Sequence, residues 1–116
     1  MSIRAEKVAA VIKQETAIVL ERELHFSLHA MVTVTDVKIS DDLKNARIFV
    51  SVFHPEGTKE EIVKKLNFEK KQIRFVLSKK LYLKFMPEIS FYLDETFDNA
   101  EKIENLFRQI HKDENN

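Results

Sequence analysis

The segment from Met31 to Phe53 constrains the fold more than any other part of this chain, because it contains two runs with the alternation of half-buried β-strands. Valines alternate with threonines from Val32 to Thr35, and apolar side chains take every second position from Ala46 to Val52. Residues typical of turns lie between the runs, namely Ser40, Asp41, Asp42 and Asn45. The segment therefore predicts an antiparallel hairpin.

The apolar phase slips by one residue inside the first of these runs. Val37 and Ile39 fall on the opposite parity from Val34. A regular strand would therefore direct them away from the face that Val34 buries. One extra residue in this strand would restore the phase, so we expect a β-bulge near Thr35 and Asp36.

Helical spacing accounts for much of the remaining chain. Apolar residues recur on one arc from Ile3 to Leu24, which predicts a core-facing helix of about six turns. Thr58 followed by Glu61 has the spacing of a capping box and predicts the start of a second helix. The predicted core face of this second helix consists of Ile62, Leu66, Ile73, Val76 and Leu77.

The last third of the chain predicts one more strand and one more helix. Pro87 interrupts helical structure and places a third strand directly after it, from Ile89 to Leu93. Asp98 with Glu101 predicts the start of a C-terminal helix. The apolar side of that helix would carry Ile103, Leu106, Phe107 and Ile110. The order helix, strand, strand, long helix, strand, helix is typical of an α+β fold with helices on one face of a small sheet.

The chain of 116 residues suits one domain, which we expect to span residues 1–111 and to be followed by a flexible tail at 112–116. It contains no cysteine, which excludes disulfides and thiolate chemistry. Its longest aliphatic run, from Val8 to Ile12, is too short to span a bilayer. We therefore expect a cytoplasmic protein that does not bind membranes.

Charge is distributed unevenly although the formal net charge is zero. Residues 59–84 hold nine Lys or Arg against three Asp or Glu, a net +6, while residues 85–116 hold three against eight, a net −5. Screening confines each charge to about 8 to 10 Å at cellular salt. A basic surface suited to nucleic acid can therefore form on a neutral chain.

The second predicted helix combines aromatic and basic residues on the face opposite its core. Phe68 and Phe75 are seven residues apart and share that face with Lys64 and Lys71. Aromatic rings stack on unpaired bases and lysines neutralise phosphates, as in proteins that bind RNA loops and single strands. The predicted RNA-binding residues are Lys64, Phe68, Lys71, Arg74, Phe75, Lys79, Lys80 and Lys84. The alternative is that both phenylalanines pack beneath the C-terminal helix.

Signals for catalysis and for cofactors are weak. A single glycine, Gly57, excludes glycine-rich phosphate loops and the nucleophile elbow. His25 and His29 have no HExxH pattern around them and no evident third metal ligand. We therefore expect no enzyme activity, no cofactor, no metal site and no small-molecule substrate.

Four segments, at specific separations along the chain, carry a family resemblance. They are RAEKVAAVIKQE at residues 4–15, VTVTDVKIS at 32–40, NARIFVSV at 45–52 and LYLKFMPEISFYLDE at 81–95. Together they resemble the ribosome-binding factor A family over about residues 3–110. The resemblance implies a type II KH-like domain with a three-stranded sheet backed by helices, in which a kink between two helices replaces the GxxG clamp. By this likeness the kink falls at Ser78.

The resemblance also implies a function and a partner. It implies a monomeric assembly factor that binds the free small (30S) ribosomal subunit and its precursors. Such a factor would support maturation of 16S rRNA, including processing of the 5′ end, and would be important in the cold. The alternative is a protein–protein interaction module that acts through the acidic C-terminal helix, with the lysines serving only solubility.

Overall fold

A computed structural model describes residues 3–24, 30–53 and 56–96, and these form an α+β fold, as the sequence predicted. Within these residues the chain forms three α-helices and the three strands of one sheet. Their bounds are α1 (Ile3–Val19), β1 (Met31–Ile39), β2 (Asn45–Phe53), α2 (Lys59–Phe68), α3 (Lys70–Lys80) and β3 (Glu88–Leu93). The first helix was expected to remain α-helical to Leu24, but its last five residues, Leu20–Leu24, form a π-helical segment. The predicted C-terminal helix and tail lie outside the described residues.

The predicted hairpin and its bulge are both confirmed. Strands β1 and β2 are antiparallel, with Val34 opposite Val50 and Asp36 opposite Phe49, so Thr35 is the extra residue. The bulge lets Val34 and Val37 both face the core, where each is buried.

The turn between β1 and β2 is held by side chains. The Ser40 hydroxyl donates to Asp42 Oδ1 at 2.6 Å and accepts from the Asn45 N–H at 3.1 Å. Asp42 Oδ1 also accepts from the Lys44 N–H at 3.0 Å. Leu43 adopts a φ of 62°, a left-handed conformation that is uncommon for leucine.

Strand β3 completes the sheet beside β2, which gives the strand order β1-β2-β3. It pairs parallel to β2, with Ile89 opposite Ala46 and Phe91 opposite Ile48. A parallel neighbour requires a long crossover, and α2 and α3 provide it. The sequence pattern had left this order open.

The hydrophobic core lies between one face of the sheet and the three helices. Helix α1 contributes Ala5, Ala9, Ile12 and Val19, and the α2–α3 pair contributes Ile62, Leu66, Ile73 and Leu77. The sheet contributes chiefly Val34, Val37, Ile39, Ala46, Ile48, Val50, Val52, Ile89 and Phe91. Val76, which was predicted to face the core, is half-buried at its edge. This one-sided packing leaves the opposite face of α2 and α3 free to carry other side chains.

The break in the second helix does not fall at Ser78, where the family likeness had placed it. Ser78 lies inside α3, and its hydroxyl donates to the Phe75 carbonyl at 2.7 Å. The two helices meet at Glu69, whose φ of −90° and ψ of 3° depart from helical values. The Glu69 N–H still donates to the Lys65 carbonyl, and the Ile73 N–H donates to the Glu69 carbonyl, each at 3.0 Å. The break is therefore local.

Candidate nucleic-acid interface

The start of α2 is fixed by the predicted capping box. Thr58 Oγ1 accepts from the Glu61 N–H at 3.1 Å, and the Glu61 carboxylate accepts from the Thr58 N–H at 3.4 Å. Gly57 precedes the cap with a φ of 112°, where a side chain would be strained and would collide with the Glu61 carboxylate. The cap fixes the residue at which α2 begins, and this determines which side chains share each face of the helix.

Five of the eight predicted RNA-binding residues share the outer face of α2 and α3. They are Lys64, Phe68, Lys71, Phe75 and Lys79, and we call them the aromatic–lysine face. At about 100° per residue they fall within about 80° of one another, opposite the buried leucines and isoleucines of the same helices. All five are exposed. The helical spacing of the buried residues continues from α2 into α3 across Glu69. The exposed face of the two helices is therefore continuous as well.

Both phenylalanines of this face are open to solvent. Phe68 is 87% exposed and Phe75 is 54% exposed. The alternative, that they pack beneath the C-terminal helix, involves residues outside the described ones. Two large apolar side chains exposed two turns apart on one face of a helix pair are typical of an interaction surface.

The lysines of the aromatic–lysine face are not neutralised by nearby acids. Among residues 3–24, 30–53 and 56–96 no ion pair forms at Lys64, Lys71 or Lys79. The Lys79 Nζ instead lies 4.5 Å from the centroid of the Phe75 ring, one helical turn away. The face therefore places positive charge beside exposed aromatic rings, the two features with which proteins bind single-stranded RNA.

Arg74 has a different environment from the lysines. Its Nε donates to the Pro87 carbonyl at 2.9 Å and its Nη2 donates to the Met86 carbonyl at 2.6 Å. Nη2 also lies 3.7 Å from Glu88 Oε1. The guanidinium thus ties α3 to the loop of residues 81–87, which we call the α3–β3 loop. These contacts assign Arg74 a structural role.

Lys80 and Lys84 lie apart from the aromatic–lysine face. Lys80 is about 100° around α3 from Lys79, at the end of the helix, and Lys84 belongs to the α3–β3 loop. Both are exposed, and Lys84 Nζ lies 5.6 Å from the centroid of the Phe85 ring. The structure thus brings five predicted residues together, places two apart from them, and directs one, Arg74, toward the α3–β3 loop.

Two exposed aromatic residues were missed in the sequence. Tyr82 is fully exposed and Phe85 is 78% exposed, both in the α3–β3 loop. Both lie in a mostly apolar run, residues 81–87, which resembles a buried segment. The available signal was Lys84 between them, because a lysine beside aromatic residues just before a proline is unusual in a core.

Two carboxylates, those of Asp42 and Asp94, hold a turn and a strand end. A hydrogen bond from the Ser40 hydroxyl lowers the pKa of Asp42 below its ordinary value, and the Lys44 N–H adds to this effect. Asp94 Oδ2 accepts from Thr35 Oγ1 at 2.5 Å, which lowers the pKa of Asp94. Asp94 Oδ1 also accepts from the Thr96 N–H at 3.0 Å.

The described part of the chain contains no group of three His, Asp or Glu side chains arranged to hold a metal ion. His25 and His29 lie outside it. In the same ranges, no helix has the length and apolar character needed to cross a bilayer.

This chain is similar in sequence to proteins of one known family. The chain matches the family model for ribosome-binding factor A over residues 4–107. It is 43% identical to a ribosome-binding factor A of Chlorobium limicola over 114 residues, which are 97% of this chain and 95% of that protein.

Solved structures show the same fold. The crystal structure of ribosome-binding factor A from Thermus thermophilus superposes with a TM-score of 0.60 at 18% identity, over 77% of this chain and 94% of that one. A homology model of the Thermus thermophilus factor, fitted into the cryo-EM map of a complex of the 30S subunit with ribosome-binding factor A, gives a TM-score of 0.62 at 19% identity, over 74% and 90% of the two chains.

Proposed function

The chain belongs to the ribosome-binding factor A family, and from this premise we propose that it binds the free small ribosomal subunit and its precursors. In this proposal it is a non-catalytic assembly factor that contacts 16S rRNA. It supports maturation of that RNA, including processing of the 5′ end, and matters most in the cold. It acts in the cytoplasm as a monomer, without a cofactor.

The aromatic–lysine face is the observation that carries the proposal. It joins two exposed phenylalanines to three lysines that form no ion pair within the described residues. The lysines of such a face would displace counterions from RNA phosphates, and unpaired bases would stack on its rings. The Thermus thermophilus relative, whose fold is shared, is described in a complex with the 30S subunit, which supports the choice of partner.

The mechanism follows from differential affinity. A protein shifts the equilibrium between two RNA conformations only by the difference in its affinity for them. A rigid helix face that fits one conformation of immature rRNA would favour that conformation. The factor would leave when mature contacts replace those it makes. No chemical step is needed.

Charge reversal on the aromatic–lysine face tests docking. We expect the double variant Lys71→Glu, Lys79→Glu to lose co-sedimentation with free small subunits, because two cationic contacts become repulsive. The matched control is Lys7→Glu with Lys13→Glu, which makes the same change in charge on exposed positions of α1. The control should bind as the natural chain does, and both variants should keep the circular dichroism spectrum.

Two results would contradict this proposal. One is undiminished co-sedimentation of the Lys71→Glu, Lys79→Glu variant. The other is an association with subunits that survives complete ribonuclease treatment, which would favour the protein-interaction alternative through the acidic C-terminal segment. Arg74 is left out of the test, because its loss would disturb the α3–β3 loop.

A further inference from the structure

A groove of about 770 Å³ lies away from the aromatic–lysine face, between the start of α1, the β1–β2 turn and the α3–β3 loop. Its volume falls within the range of roughly 300 to 1,000 Å³ that is typical of sites for small organic groups. Nothing in the function proposed above uses it.

The groove has apolar walls and an aromatic ring at its edge. Leu43, Leu83 and Met86 line it and also pack against the core. Leu43 holds its position in a left-handed conformation that glycine or asparagine would adopt more readily. Phe85 also lines the groove and is 78% exposed, with Lys84 Nζ 5.6 Å from the centroid of its ring. The groove therefore presents a flat aromatic surface beside a slot.

The charges around the groove favour an anionic ligand. Arg4, Lys44 and Lys84 line it, and none of the three forms an ion pair within the described residues. Its two acidic residues are engaged with other groups of the protein. Asp42 accepts from the Ser40 hydroxyl and the Lys44 N–H, and Glu88 lies 3.7 Å from the Arg74 guanidinium. The lining thus carries three positive charges against two negative ones, and the Arg74 guanidinium offsets the charge of Glu88.

We propose that this groove binds an unpaired nucleobase of single-stranded RNA. The base stacks on Phe85 and enters the slot beside Leu43, while Lys44 and Lys84 contact the flanking phosphates. The chain would then hold two RNA segments, one on the aromatic–lysine face and one in the groove. The inference rests on the proposed function for the class of ligand, and it concerns a different surface.

An aromatic ring beside lysines that form no ion pair within the described residues fits RNA better than it fits an acidic peptide. Stacking on an exposed ring suits any base and contributes measurable affinity, whereas a peptide carboxylate gains nothing from the ring. A duplex, whose bases are already stacked and paired, cannot enter the slot. These differences define the test.

The test uses the full chain, labelled with ¹⁵N, and titrates it with a short oligoadenylate and with a blunt RNA duplex of the same length. We expect oligoadenylate to shift the amide signals of Leu43, Lys44 and Phe85. We expect Phe85→Ala to weaken oligoadenylate binding about tenfold, the effect of losing one stacked base. Duplex binding should change less than about twofold, since it relies on phosphate contacts. Tyr92→Ala, which removes an exposed aromatic residue from the sheet, is the matched control and should bind oligoadenylate normally.

Other outcomes overturn the inference. These are amide shifts confined to α2 and α3, equal affinity of the Phe85→Ala variant, equal loss in the Tyr92→Ala control, or displacement of oligoadenylate by oligoglutamate at the same concentration as by RNA. If Phe85→Ala is silent while Lys71→Glu with Lys79→Glu loses small subunits, only the groove assignment fails. If Phe85→Ala weakens oligoadenylate binding while Lys71→Glu with Lys79→Glu keeps small subunits, the aromatic–lysine face is not the docking surface and the groove assignment stands.

Discussion

Individual polar side chains in this protein differ in whether they have a hydrogen-bond partner. Ser40, Thr58 and Asp94 each hold a turn, a helix start or a strand end through short hydrogen bonds. Thr16 differs, because it is fully buried in α1 and its hydroxyl finds no hydrogen-bond partner among the residues that the structure describes. A buried hydroxyl without a partner keeps the full cost of its desolvation.

Replacing Thr16 with valine should therefore stabilise the fold. Valine keeps the branched shape and removes the unpaired hydroxyl, so we expect the free energy of unfolding to rise by about 1 kcal/mol. The control is the same replacement at Thr58, where the hydroxyl caps α2; it should lower that free energy by about 1 kcal/mol. Urea denaturation measures both. A loss of stability in the Thr16→Val variant would mean that this hydroxyl is satisfied in solution.

The contact between Thr35 and Asp94 predicts a dependence on pH. Because the folded-state pKa of Asp94 is lowered, its stabilising effect is present above the unfolded-state pKa of about 3.9 and is lost as pH falls through the folded-state value. Thr35→Val should raise the pKa of Asp94 toward about 3.9, as measured by carboxyl ¹³C titration. The difference in stability between this variant and the natural chain should shrink below about pH 4. Thr33→Val, at an exposed position of the same strand, should leave the pKa unchanged.

At the scale of elements, one face of the α2–α3 pair packs against the core, and the opposite face exposes its side chains to solvent. The core residues of the two helices keep one spacing across Glu69, so the break leaves the outer face continuous. Arg74 then fixes the α3–β3 loop by two hydrogen bonds to backbone carbonyls. Asn67 does the same for β3, donating to the Phe91 carbonyl at 2.9 Å and accepting from the Phe91 N–H at 2.8 Å.

Removing the Arg74 tether should loosen the loop and leave the rest of the fold intact. We expect Arg74→Met to lower the free energy of unfolding by about 1 kcal/mol, a value reduced for the partial exposure of the side chain. Amide hydrogen exchange should accelerate in residues 81–87 and remain unchanged in β2. Lys71→Met, at an exposed position of the same helix, is the control and should alter neither quantity. An unchanged loop in the Arg74→Met variant would show that other contacts hold it.

At the scale of the whole molecule, charge is separated although it sums to zero. The positive segment contains α2, α3 and the α3–β3 loop. Three of its nine cations lie on the aromatic–lysine face, and a fourth, Lys84, lines the groove. Local fields of this kind act within about one Debye length, so the neutral total does not weaken them.

The salt dependence of RNA binding should report how many of these cations contact phosphates. For single-stranded RNA, the logarithm of the affinity should fall by roughly 0.7 for each contact per decade of salt. The variant Lys71→Met, Lys79→Met should therefore reduce the slope by about 1.4 if both lysines contact phosphates. The control Lys7→Met, Lys13→Met should keep the slope of the natural chain. Equal slopes in the two variants would exclude the aromatic–lysine face as the electrostatic contact.

The sequence predicted much of the fold because local signals agreed with one another. The bulge at Thr35 followed from a change of parity, and the start of α2 followed from the Thr58 and Glu61 spacing. Both depend on residues a few positions apart. Ser78 was the wrong position for the break, because a family likeness transfers a position without the backbone contacts that decide it. In this chain the hydrogen bonds continue through Ser78 and the dihedral angles change at Glu69.

Periodicity, together with cap, turn and proline signals, predicted the described strands and helices, most of the core-facing positions, and where aromatic and basic residues share a helix face. These are properties of 2.0- and 3.6-residue repeats, and every chain with the same repeats has them. The tertiary structure alone decided that β3 lies parallel beside β2, that Arg74 turns to the loop carbonyls, and that Phe85 borders a groove. Those outcomes depend on contacts between residues far apart in the chain, which no local pattern encodes.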